Sequence, residues 1–399
     1  MHPFFRTLGD RVAEAWARAE HAPAALPALA AATLQALPAH EHITLGAFLD
    51  ALSTASEPDV PHQRDLSSAF AEPGTTVYQG RGFCIEVNLW VDGTTLIHGH
   101  GFSGAFQVLH GASLESRYRF ERTEALGAHM VLGALELVDI RPLGPGDVGV
   151  IPAGDDGIHA LFHTERPSAT VVIRTHGDRS SLPQLNLHPP GVAFDAAWPE
   201  ALTPLETRQL QLVRSLLRFE GDEGRVRTII QGARPIFAYP LISEVIAPAL
   251  LQPGTSLAAM ETAMARWFSW VTHPAAERLH AAAARRLYTR GALQLREVLT
   301  ATEDRRTAGL LLTAPDRSAI EAFAATHLGR TGVEVVTAFV DRVGAIPNPF
   351  HPTANVLGLD PGTTAHLRAR IRGAAPPEGP AAEVDRQLTT MSIFASWFR

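Results

Sequence analysis

The sequence predicts an α+β protein, a β barrel set between helical regions, and three observations carry that prediction. Hydrophobic spacing changes from three-and-four to two near Gly82, strand-like segments then recur every 8 to 15 residues, and helical spacing returns after about residue 200. The expected division is an N-terminal helical region over 1–75 that packs on the barrel, a barrel over 76–180, and a large, mainly α-helical C-terminal domain over 200–399.

In the first region, FFRTLGDRVAEAWARAEH, LPALAAATLQAL and TLGAFLDALS each place apolar residues three and four apart, and AEPGTTVYQGRG punctuates the chain after them. In FCIEVNLWV, the odd positions Phe83, Ile85, Val87, Leu89 and Val91 are apolar, whereas Cys84, Glu86, Asn88 and Trp90 are mixed. Because alternate residues of a strand face opposite ways, this pattern predicts a barrel wall with packing outside and a pocket inside. GAFQVLHG, SRYRFE, ALELVDIRPL, DVGVIP, GIHALFHT and SATVVIRTH continue the barrel, and GDRSSLPQLNLHPPG leads out of it. Helices resume at TPLETRQLQLVRSLLRFEG, where Thr203 and Glu206 form a capping box, Pro204 takes the first turn and Gly221 the stop. Thr331, Glu334 and Gly344 repeat that logic, and irregular tails are expected around NPFHPTANVLGLDPG and GAAPPEGPAAE.

Composition excludes several function classes. A net charge of -7 argues against a nucleic-acid partner, and no apolar run is long enough to span a membrane. All 34 basic residues are arginine, which removes Schiff-base, pyridoxal-anchor and phosphate-loop lysine chemistry. With Cys84 the single cysteine, an intrachain disulfide and a cysteine zinc cluster are both excluded. Asp10 and Glu14 interrupt the place where a secretory signal would be apolar, so a cytoplasmic setting is expected.

The chemistry is concentrated in the histidines. His98 and His100 lie two apart in DGTTLIHGHGFSGAFQVLHG, so a strand would aim both imidazoles at one place, as a metal requires. In a chain with 18 histidines such a pair also arises by chance. The second segment, GDVGVIPAGDDGIHALFHTERPSATVVIRTHG, sets Gly146, Pro152 and Gly154 as a turn before His159. His163 has the parity of His159 and is a competing ligand or a neighbour of the site.

Together these segments resemble the two motifs of the cupin superfamily, whose fold is a double-stranded β-helix barrel. Within it, FCIEVNLW, IHGH, FQVLHG and VGVIPAGDDGIHALFHTERPSATVVIRTH resemble the cysteine dioxygenase family of thiol dioxygenases, over about residues 83–177. The resemblance implies iron(II) held by His98, His100 and His159. Many cupins add a glutamate ligand, and the matching place here is near Ala105, which favours a three-histidine site. The cysteine and tyrosine that crosslink beside the iron in many cysteine dioxygenases correspond to Ala105 and His176, so that crosslink is absent and cysteine as substrate does not follow.

Arg174 and His176 share a strand face that the resemblance turns toward the pocket. Arg174 would then grip a carboxylate or phosphate, and His176 would donate a hydrogen bond or carry a proton. Tyr78, Arg81 and Trp90 are further substrate-contact candidates. The expected function is a mononuclear non-haem iron(II) oxygenase using O2 on a thiol, an amino-acid-like molecule or another small polar substrate. A peptide or larger conjugate is the wider alternative, and a homo-oligomer is one option. Two other readings stand beside it: a cupin ligand-binding or sensor protein, and a redox-neutral cupin isomerase or hydrolase using another metal.

Overall fold

The computed structural model of the chain describes residues 2–64, 70–91, 95–176, 184–218, 222–247, 257–348, 351–379, 381–390 and 393–399. The expected helix stop at Gly221 and the expected barrel end at 180 lie outside these residues. The fold is α+β with a β-barrel core and helices toward both chain ends, and it separates into two compact units.

The first unit comprises residues 1–119, 137–184 and 301–309. One sheet has the order β1 (Gly74–Gln79), β2 (Phe83–Trp90), β9 (Ser168–Thr175), β4 (Gly104–His110), β7 (Val148–Ile151), with antiparallel neighbours throughout. Facing residues belong to β3 (Ile97–His100), β8 (Gly154–His163) and the first part of β5 (Ser113–Ala125), successive strands of the closed barrel. β1 occupies the stretch that sequence reading treats as punctuation. Its GTTVYQ is poor in large apolar residues because its partner β2 carries most of the packing on that edge.

Strand parity decides what each face of the first sheet does. Phe83, Ile85, Val87 and Leu89 of β2 share one core with Ala105 and Leu109 of β4 and Ala169, Val171 and Ile173 of β9. Helix α1 (Pro3–Arg18) buries Phe5, Leu8, Val12 and Trp16 in that core, at the three-and-four spacing that puts them on one stripe. Burial of each such side chain is worth about 1.5–3 kcal/mol. Gln107 is the polar exception on this face, and every bond it needs is made. It donates to Leu34 O and Gly146 O, both at 3.1 Å, and accepts from Ala39 N at 2.6 Å, tying α2 (Leu26–Ala36) and α3 (Ala39–His42) to β4. The other face carries Phe106, Val108, Ile151 and Val172, and Leu161 of β8 packs with them around the barrel interior.

The second unit comprises residues 120–136, 185–300 and 310–399. β10 (Leu185–His188) and β11 (Val192–Asp195) form a hairpin across Pro189, Pro190 and Gly191, and β11 continues onto β6 (Met130–Leu143). Sequence reading places that hairpin in a linker because two prolines mask its alternation. Met130, Leu132, Val192 and Phe194 of these strands pack on Phe237, Tyr239, Ile242 and Leu279 of the helical part. Both capping boxes form: Thr203 with Glu206, and Thr331 with Glu334. The segment expected to be irregular holds a short antiparallel pair, Pro347–Asn348 with His351–Asn355. No described helix is long and apolar enough to cross a membrane.

Candidate metal centre

His98 on β3 and His159 on β8 are directly opposite in the antiparallel pair, which makes two distant parts of the sequence neighbours through backbone register alone. A register shift between His98 and His100 brings the latter opposite Gly154, a glycine at φ +74°. Gly99, between the two histidines, leaves little room toward β8: a Cβ there would stand 3.1 Å from Gly154 O. The three imidazoles are buried, and one nitrogen of each lies within 4.8 Å of one from each other ring.

Their second nitrogens show which way the rings are used. His98 Nδ1 is 2.8 Å from Leu96 O, and a carbonyl only accepts, so that nitrogen carries the proton and Nε2 keeps its lone pair. His159 Nδ1 lies 3.1 Å from Glu115 Oε1 and donates to it, so in the neutral ring Nε2 is the lone-pair nitrogen. His98 Nε2 and His100 Nε2 are 3.1 Å apart, close to the ~3.0 Å that separates two nitrogens bound at right angles with bonds of about 2.1 Å. Burial drops the His98 pKa to about 3, with His159 beside it adding to the fall. Burial, then the neighbouring His98 and His159, push His100 well below its usual value. Both rings are therefore held neutral, the form in which imidazole binds metal.

Glu115 is the residue that sequence reading misses. It stands on β5 opposite Leu161, fully buried, with Arg141 Nε at 2.6 Å and Arg117 Nε at 3.2 Å. Burial alone would raise its pKa. The hydrogen bond and charge of His159, joined by Arg117 and Arg141, outweigh that and hold it at about 2. A carboxylate behind a ligand-type histidine fixes its tautomer and raises its basicity. SRYRFE, the strand expected from sequence, begins one residue after Glu115. An isolated glutamate at a strand start reads as a solvent-facing edge; the signal available was Arg117 two residues on, on the same face.

A cavity of about 160 Å³ adjoins the histidines. Trp90 and Arg174 line it, as does Glu86. Arg174 grips Glu86 through both carboxylate oxygens, at 2.7 and 2.8 Å, and its guanidinium lies 4.8 Å from the Phe102 ring centre. His176, Tyr78 and Arg81 are not among the lining residues. His176 Nδ1 meets Arg64 at 2.5 Å and its Nε2 meets Gly80 O at 3.3 Å. Burial, opposed by the Gly80 bond, lowers its pKa, and Arg64 and Arg174 add to the fall. Tyr78 donates to Asp10 at 3.1 Å and stacks on Phe83, while Arg81 is exposed in the turn between β1 and β2. His163 stands outside the three-histidine cluster: its Nδ1 is shared by Ser113 and Ser168, and its ring stacks on Trp90.

One position needs correction. Ala105, read as the place of a fourth ligand, faces the outer core with Leu109 and Ile173, so its chemistry says nothing about the centre. The next residue, Phe106, has the inward parity and lines the cavity, and it offers no ligand atom. That position therefore adds no donor to the three clustered histidines. Cys84 is buried, and burial with the Glu86 charge pushes its thiol up to about 12, so it is held as an unreactive thiol.

No protein-family model matches the chain, and no curated protein matches it. Solved structures with local likeness include cupin-domain proteins. DMSP lyase DddQ from Ruegeria pomeroyi DSS-3 is 18% identical over 45% of this chain and 95% of that one, with a TM-score of 0.23. A cupin-2 domain protein from Shewanella frigidimarina NCIMB 400 is 14% identical over 32% and 92%, with a TM-score of 0.21. Hydroquinone 1,2-dioxygenase from Sphingomonas sp. TTNP3 with 4-hydroxybenzoate bound is 14% identical over 28% and 70%, also at 0.21. The chain spans 40% of the length of one further matched structure, from work on the DMSP lyases RdDddP and RnDddQII.

Proposed function

We propose that His98, His100 and His159 hold one divalent metal, iron(II) by preference, and that the chain is an O2-using oxygenase acting on a small molecule in the adjoining cavity. The observation that carries this reading is the set of three buried imidazoles whose outer nitrogens are assigned by Leu96 O and Glu115, so that the lone pairs of His98 and His159 converge. Three neutral ligands leave a divalent ion its full charge and open positions, and iron(II) in such a setting supplies activation of O2.

The remaining work belongs to the chain. Glu115, neutralised by Arg117 and Arg141, keeps His159 in its binding tautomer. Arg174 and Glu86 present an ion pair to the substrate, which orients a polar group without drawing in a second full charge. The resemblance to thiol dioxygenases adds thiols to the substrates worth trying. The test is substrate-dependent O2 uptake by iron-loaded protein across small thiols, phenols and carboxylates. Uptake with at least one class, lost in His98→Ala, supports the oxygenase; none from any class, with iron bound, overturns it.

A further inference from the structure

Each of the three histidines has a phenylalanine ring against it. Phe70 meets His98 edge-on at 5.6 Å, Phe102 meets His100 edge-on at 4.9 Å, and Phe106 lies 6.0 Å from His159. Trp90 completes this wall, edge-on to Phe70 at 4.9 Å. All four rings line the one cavity. Its volume, about 160 Å³, is that of a site for one ring: an apolar protein cavity of about 150 Å³ takes up benzene.

The lining also holds Asn88, Thr95, Thr170 and Gln184, and two of its polar groups bear most directly on what that ring carries. The indole Nε1–H of Trp90 is buried without a hydrogen-bond partner, although Trp90 is 97% buried, and such a donor costs stability until something accepts from it. The guanidinium in the lining, Arg174, is already bound by both oxygens of Glu86, so a zwitterionic amino acid would have to break that pair to find its charge partners.

We infer that the cavity takes a single-ring aromatic molecule bearing one oxygen substituent, of the phenol class, with the ring between Phe70, Phe102, Phe106 and Trp90 and with Trp90 Nε1–H donating to the oxygen. This names the substrate class for the oxygenase proposed above and rests on that reading for the use of the site, while the ring-sized cavity stands apart from it.

The test is a calorimetric titration of phenol, toluene and L-cysteine into zinc-loaded full-length protein whose metal content has been measured by mass spectrometry. Phenol binds one to one and at least about tenfold more tightly than L-cysteine. Trp90→Phe keeps a ring and removes the donor, so it weakens phenol about tenfold and leaves toluene unchanged, as loss of one buried hydrogen bond requires. L-Cysteine binding more tightly than phenol, absence of phenol binding, or an equal loss for phenol and toluene in Trp90→Phe would each overturn the inference. Failure of the metal centre shows separately, as missing zinc before any ligand is added. In that event the same titration on the metal-free protein still predicts phenol above L-cysteine, and the reverse order still overturns the inference.

Discussion

The interior of the first unit and the interior of the second are built from different materials. In the first, the barrel buries His98, His100, His159, His163 and Glu115 alongside its apolar residues. In the second, Met130, Leu132, Val192, Phe194, Phe237, Ile242 and Leu279 form an apolar core in which the Tyr239 hydroxyl and His188 Nδ1 make a buried polar contact at 2.5 Å. Buried polar groups are tolerated when every bond is made and costly when one is not. Glu115 shows the first case with three cationic or donor neighbours, and Trp90 Nε1 shows the second. His98, His100 and His159 of the first interior line one cavity, whereas His188 and Tyr239 of the second bond to each other.

This contrast can be broken by substitution. His159→Ala removes one of three ligands and is expected to abolish stoichiometric metal binding, read by mass spectrometry of the native protein. Phe237→Ala, in the second unit's core, empties a site that is 1% exposed and is expected to cost about 3–5 kcal/mol in a denaturant titration. Glu115→Gln keeps the shape but loses the charge that supports His159, and metal affinity should fall about 10–100-fold. A smaller effect would mean that Arg117 and Arg141, not His159, are the reason for Glu115.

The mildest change is at a surface cap. Thr203→Ala removes the hydroxyl that accepts from Glu206 N and is expected to cost about 1 kcal/mol. Glu206 itself has its pKa lowered, first by the Arg234 hydrogen bond and then, against burial, by the Thr203 backbone bond. A depressed carboxylate contributes stability above its unfolded pKa and loses it as pH falls through the folded value. The wild-type protein should therefore lose stability faster than Glu206→Gln as pH falls below about 4, in denaturant titrations run at successive pH values.

How much of this was legible in the sequence follows the range of the interactions. Alternation in FCIEVNLW fixes both faces of β2, because parity is a local property: Phe83, Ile85 and Val87 meet the helices, and Glu86, Asn88 and Trp90 reach the cavity. The three histidines were visible from spacing and resemblance. Glu115 was not, because its meaning comes from partners 26 and 44 residues away. Ala105 misled for a similar reason, since one residue of register separates the outer core from the cavity. His176, Tyr78 and Arg81 lie near the cavity wall in sequence, yet their side chains are placed by Arg64, by Asp10 and by a turn.

His98, His100 and His159 are expected to bind a single metal together. The most direct test is the metal content of anaerobically purified full-length protein, measured beside His98→Ala. The account predicts close to one divalent metal per chain in the wild type, with iron preferred when iron is supplied, and its loss in the variant. Equal metal in both proteins, or none in a folded wild type given iron, zinc and manganese, would contradict it.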